Sequence, residues 1–186
     1  MSPILGIWAS QISGHLWAPQ GAYDALATVT VPSGGVASIT FSGIPTGYKH
    51  LEIRAIGKSA STNTNGDLTF NGDTGNNYTW HYLLGDGSSA SAGAATSRAN
   101  IVGMVLMPDS SNTSVYSANV VSILDYASTN KYKTVRALQG YDVNGGGAIF
   151  LSSGEWMSTN PITSITFTGR GQNFAQYTQV ALYGIK

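Results

Sequence analysis

Residues 22–58 alternate apolar and polar side chains in period two through three short runs, at 26–31, 36–41 and 51–56. In the second run Ile39 and Phe41 share one face while Ser38 and Thr40 take the other. In the third, Leu51, Ile53 and Ala55 oppose Glu52 and Arg54. A strand with one face on a core and one in water has this pattern, because successive side chains point to opposite sides of the pleat. Pro32-Ser33-Gly34-Gly35 supplies the positive φ that a tight hairpin requires, and residues 42–47 form a longer turn on Pro45 with Gly43 and Gly47. The pattern predicts an antiparallel sheet whose first two strands form a hairpin.

The rest of the chain continues in the same style. Strands are expected at 67–70, 78–84, 98–107, 113–124, 131–139, 148–156, 162–168 and 177–185, with 108–112 as the turn of one hairpin. Small residues at 85–96 predict a mobile loop. About nine to eleven strands at regular spacing, with no long helical period, predict an all-β chain: an antiparallel β-sandwich, jelly-roll-like, or a related barrel. The expected organisation is an N-terminal arm, residues 1–21, and a sandwich domain, residues 22–186. One echo stands out. Ser38-Ile39-Thr40-Phe41-Ser42-Gly43 returns as Ser164-Ile165-Thr166-Phe167-Thr168-Gly169, too far away for a solenoid period. Two equivalent strands solving one packing problem explain it.

Nine Lys plus Arg balance nine Asp plus Glu in 186 residues, so the basic footprint of a general nucleic-acid binder is missing. Only 10% of residues are charged, and polarity rests on Ser, Thr, Asn, Gln and Tyr. Sheet edges without charged gatekeepers tend to pair or be covered, which favours an assembled protein. There is no Cys, which removes disulfides and thiolate chemistry. No basic residue precedes Lys49, so an ordinary secretory signal is not expected. Residues 4–17 are apolar but too short and interrupted to span a bilayer.

In the arm, Leu5, Trp8, Ile12 and Leu16 are spaced three and four apart, one stripe of a short helix. Together with Ile4 and Trp17 they form a candidate anchor that inserts into a partner or a neighbouring subunit. The plainer alternative is an arm folded back over its own sandwich.

Catalytic motifs are scarce. His15, His50 and His81 lie far apart, with no metal-ligand spacing. Glu52 and Glu155 are the only glutamates, and nothing local marks them as a glycosidase pair. No Gly-x-Ser-x-Gly elbow or phosphate-cradling glycine loop occurs. The expectation is a non-enzymatic protein without a cofactor, with a hydrolase of surface polysaccharide, which needs converging carboxylates in a groove, as the remaining alternative. Residues 71–77, with Asp67 upstream, carry oxygen ligands suited to calcium, although Asx residues at turns commonly serve their own backbone. Tyr78, Trp80 and Tyr82 fall on one face of their strand and are the candidate ligand-binding surface, with burial in the core as the alternative.

The opening SPILGIWASQISGHLWAPQGAYDALATVTVPSGG, the run SITFSGIPTGYKHLEIR and the ending QYTQVALYGIK resemble a family of tailed-bacteriophage virion proteins, of tail-fibre, minor-tail or head-decoration type. The resemblance runs from the arm to the last strand and is sharpest in residues 1–58. It implies a β-sandwich on the particle surface, commonly a homotrimer, attached by its N-terminal segment to other virion proteins. It further implies assembly in the host cytoplasm, and leaves open a host cell-surface glycan as partner. It carries no catalytic residues.

Overall fold

The computed structural model describes residues 21–109 and 114–186, so the candidate anchor residues Ile4, Leu5, Trp8, Ile12, Leu16 and Trp17 lie outside the described residues. Among those described there is no helix. Twelve strands run in the order β1 (Tyr23–Thr30), β2 (Ser38–Ser42), β3 (His50–Gly57), β4 (Asn65–Phe70), β5 (Tyr78–Gly85), β6 (Ala90–Arg98), β7 (Ile101–Val105), β8 (Ser117–Ile123), β9 (Lys133–Asp142), β10 (Gly147–Trp156), β11 (Ser164–Thr168) and β12 (Gln179–Ile185). All pair antiparallel, in an eight-stranded sheet β1-β12-β3-β8-β9-β10-β5-β6 and a four-stranded sheet β2-β11-β4-β7. The chain is all-β, consistent with a β-sandwich.

The alternation read from the first strands sorts the core. Ile39 and Phe41 of β2 meet Leu51 and Ile53 of β3 in one buried cluster with Phe70, Tyr78, Trp156, Phe167 and Val180. The two inner faces interdigitate, as sandwiches do at about 10 Å between sheets.

The expected hairpin between the first two strands does not form. β1 lies beside β12 in the large sheet and β2 beside β11 in the small one, so residues 31–37 cross between sheets. Val31 N–H donates to the Thr178 carbonyl and Val36 N–H to that of Phe174, so the crossing is held by the stretch leading into β12. Gly34 and Gly35 do have positive φ (90° and 72°). At Gly35 a Cβ would lie 2.5 Å from the Phe174 carbonyl oxygen, so glycine is demanded by a close approach as well as a turn. The stretch 98–124 is corrected likewise: β7 joins the small sheet through β4, whereas β8 sits between β3 and β9 in the large one. The expected loop at 85–96 is largely β6, the outermost strand of the large sheet. Only Asp86–Ser89 turns there, its Asp86 carboxylate accepting from the Ser88 and Ser89 backbone N–H groups, which holds its pKa well below the usual carboxylate range.

The repeated hexapeptide has a direct structural meaning. Its two copies are β2 and β11, and they pair with each other: Ile165 opposite Phe41, Thr166 opposite Thr40, Phe167 opposite Ile39. The Thr40 and Thr166 hydroxyls meet at 3.0 Å on the outer face. Two strands in one environment carry one solution, apolar side chains inward and hydroxyls outward.

Candidate functional site: an aromatic cleft and an apolar sheet face

The unequal size of the sheets creates the site. Four strands cannot cover the inner face of eight, so the inner faces of β5 and β10 run out from beneath the small sheet. Trp156 and Tyr78 are under cover and fully buried, while Trp80, Tyr82 and Phe150, further along, are half-buried. Alternation along β5 does place Tyr78, Trp80 and Tyr82 on one face, but depth divides them.

Tyr78 is a core residue. Its ring stacks on Trp156 at 6.4 Å between centroids, and its hydroxyl accepts from the Phe70 N–H (3.1 Å) and donates to the Asp73 carbonyl (3.0 Å). Burial pushes its pKa up to about 12. Trp80 and Tyr82 stack on each other at 5.8 Å, and Tyr82 meets Phe150 at 6.2 Å. Opposite Tyr82 on β6 stands Gly93, where a Cβ would fall 2.6 Å from the ring, so the missing side chain gives the ring its place. A bulge at the Trp80 end of this strand pair, where Ser97 has a φ of 52°, turns the edge of the platform.

These rings form one wall of a cleft of about 210 Å³ whose other walls include Asn65, Gln139, Ser152 and Arg170. The Gln139 amide is buried and reaches the Gly103 carbonyl (3.4 Å) and the Ser152 hydroxyl (3.5 Å). Arg170 is tied to Asp67 at 2.8 Å, which leaves the cleft without a free charge from that pair. An apolar aromatic wall facing neutral amide and hydroxyl groups suits a small polyhydroxylated ring, and the volume holds about one such ring rather than a drug-sized molecule.

The residues with oxygen ligands suited to calcium are engaged within the protein. The Asp73 carboxylate accepts from Trp156 Nε1 (2.7 Å), from the Asn77 amide and from Gly75 N–H; the hydrogen bond from Trp156 is the main reason its pKa lies below the usual carboxylate value. Asn71 Oδ1 accepts from the backbone N–H groups of Thr163 and Ser164. Among the described residues no three His, Cys, Asp or Glu side chains cluster as metal ligands. Glu52 and Glu155 sit on β3 and β10, three strand spacings apart or about 14 Å, beyond the reach of a glycosidase pair. His50 lies beside Asp125, whereas His81 is exposed on the outer face of β5.

That outer face holds a feature the sequence reading missed. Val120, Leu138, Leu151 and Leu83 stand directly opposite one another across β8, β9, β10 and β5, with Ile56 and Ile149 in the next row. All six are between 42% and 59% exposed. Beside Leu83 and Leu151 a shallow depression of about 620 Å³ is floored by Ala92, Gly93 and Ala94. The signal was present as unbroken apolar runs, Val120-Val121, Leu83-Leu84 and Ile149-Phe150-Leu151, which make both faces of a strand apolar. By contrast, the left half of the same face is closed upon itself. Arg54 lies between the Tyr23 and Tyr183 rings (5.1 and 5.3 Å) and pairs with Glu52 at 2.8 Å. The outer face of the small sheet presents Thr40 and Thr166 instead.

No family model and no curated protein matches the chain. The crystal structure of a protein of unknown function from Shewanella oneidensis MR-1 aligns over 89% of this chain and 76% of that one, at 10% identity and a TM-score of 0.21, a likeness that carries no argument about fold or function.

Proposed function

We propose that this protein is a non-enzymatic structural component of a tailed-phage virion: a β-sandwich on the particle surface, of capsid or tail, held to other virion proteins through residues 1–21. The sequence resemblance suggests the setting, and the all-β architecture agrees with it. The observation that carries the assembly part is the apolar row Val120–Leu138–Leu151–Leu83 on an outer sheet face, since patches of this size on soluble proteins mark contact surfaces. Deleting residues 2–20 is expected to leave a folded domain that no longer joins the particle. Incorporation of the truncated protein at the wild-type level refutes the attachment role, and imaging of the intact particle distinguishes capsid from tail.

A second reading, binding of a host cell-surface glycan, is favoured by the Trp80–Tyr82–Phe150 platform facing Gln139 and Asn65. Trp80→Ala is expected to abolish retention on a glycan array while leaving the circular dichroism spectrum unchanged. Undiminished retention removes the cleft from the reading.

A further inference from the structure

We propose that the outer face of β8, β9, β10 and β5 pairs with the same face of a second copy of this chain, about a two-fold axis running parallel to the strands between β9 and β10. The inference deepens the assembly reading by naming the partner. It is tested in solution, so its failure is separable from failure to join a particle.

Area is the first argument. Six side chains about half exposed leave on the order of 500 Å² of apolar surface in one patch, at the upper end for a protein that stays alone. With the alanines, glycines and polar rim between them the face approaches about 800 Å², one partner's share of a standard interface.

Self-complementarity is the second. The register of the sheet fixes what each residue meets when a copy is rotated about that axis. Leu138 of one copy falls over Leu151 of the other, the two being direct neighbours across β9 and β10. Val120 falls over Leu83, beside the depression floored by Ala92, Gly93 and Ala94. Ile149, which projects from the next row, falls over Gly140, its own cross-strand neighbour and the position on β9 with no side chain to obstruct it. At Ile149 a projection meets a recess, while Leu138 on Leu151 and Val120 on Leu83 bring half-exposed apolar side chains together, the same patch serving both copies as an isologous contact requires.

Charge is the third. Arg136 and Glu155 lie on this face, next to the apolar rows, and neither forms an ion pair among the described residues. Arg136 is opposite Ser153 and Glu155 opposite Thr134. The same rotation therefore places Arg136 of each copy over Ser153 of the other, one residue pair away from Glu155 and within reach of a long side chain. Opposite charges meet twice, once at each symmetry-related position.

The experiment is sedimentation equilibrium of the full chain with three variants and a cross-linking arm. Wild type is expected to dimerise at micromolar concentration, or, where it also forms the homotrimer that the resemblance implies, to pair two trimers into a hexamer. Leu138→Glu/Leu151→Glu is expected to weaken association by about 100-fold or more without loss of fold, because both side chains are already half exposed. Arg136→Glu is expected to weaken it less, and Arg136→Glu/Glu155→Arg to restore it. Because the chain has no cysteine, Leu138→Cys and Leu151→Cys mixed under oxidation are expected to cross-link, while Thr40→Cys on the small sheet does not. A monomeric wild type, association indifferent to the leucine pair, or cross-linking at Thr40→Cys equal to that of the mixture overturns the proposal. A monomer destabilised by the leucine substitutions does so too, since it shows the face covered from within the same chain.

Discussion

Replacing Tyr78 by Phe removes one oxygen atom and leaves the ring in place, so its effect can be worked from the contacts of that oxygen. The hydroxyl accepts the Phe70 N–H at 3.1 Å and donates to the Asp73 carbonyl at 3.0 Å. Phe70 is fully buried at the end of β4, where β7 no longer runs alongside, so no strand replaces the lost acceptor. A buried group left without a partner costs about 1–3 kcal/mol, and the Asp73 carbonyl, nearer the surface, recovers part of its loss from water. The expected loss is about 2 kcal/mol at neutral pH, or a Tm lower by about 4–8 °C for a chain of this size. The stacking on Phe70 and Trp156 is retained, so cooperativity should not change. The pH dependence gives a second, independent readout. The folded pKa, about 12, lies above the ordinary value of 10.0, so Tyr78 favours folding fully below pH 10 and loses that contribution as pH rises towards 12. Two units correspond to about 2–3 kcal/mol. The gap between wild type and Tyr78→Phe should therefore be widest below pH 10 and close as pH approaches 12. Denaturant unfolding followed by tryptophan fluorescence measures both. A neutral-pH difference under about 0.5 kcal/mol, or a gap that stays constant to pH 12, refutes the assignment of this hydroxyl as the cap of β4.

Two further substitutions test local geometry. Gly35→Ala places a Cβ 2.5 Å from the Phe174 carbonyl at a φ of 72° and should cost about 3 kcal/mol in denaturant unfolding; Gly34→Ala, at a φ of 90° with nothing within 4 Å, should cost about 1 kcal/mol. Equal losses would show that backbone conformation alone decides that crossing. Asp73→Asn should cost about 1–2 kcal/mol at neutral pH through the weakened bond from Trp156. Because the Asp73 pKa is depressed by folding, its stabilisation is present above the ordinary carboxylate pKa and fades as pH falls through the folded value, so the variant should show a shallower acid limb. An unchanged acid limb argues against that linkage.

What was legible in the sequence was local, and what was not was pairing. Period-two alternation assigns Ile39, Phe41, Leu51 and Ile53 to the core because a strand's faces depend only on its own residues. It is silent on partners: Pro32-Ser33-Gly34-Gly35 turns the chain equally well into a hairpin or into the opposite sheet, and the choice is made by β11 and β12, far away in sequence. β6 was invisible because its alanines, serines and glycine bury little and lack β propensity; pairing with β5 supplies its order. Tyr78, Trp80 and Tyr82 were read correctly as one face, but where cover ends along that face follows from the small sheet having four strands, which no single segment encodes. The outer apolar row is the reverse case, written in the sequence as unbroken apolar runs but recognisable only once the strands are laid side by side.

The pairing of the repeated hexapeptide bears on how the chain reaches this structure over time. Among the described residues β2 pairs only with β11 and β1 only with β12, so each finds its partner far later in synthesis than it is itself made. Thr40 and Thr166, which touch in the finished sheet, are 126 residues apart. Closing such loops is slow compared with forming neighbouring hairpins such as β9–β10. Until β11 and β12 have been made, β1 and β2 must wait with open edges, Asp24 and their serines and threonines the deterrents to pairing with a strand of another molecule. A release assay on stalled chains should find β1 and β2 open to protease until residue 185 has emerged, then protected together.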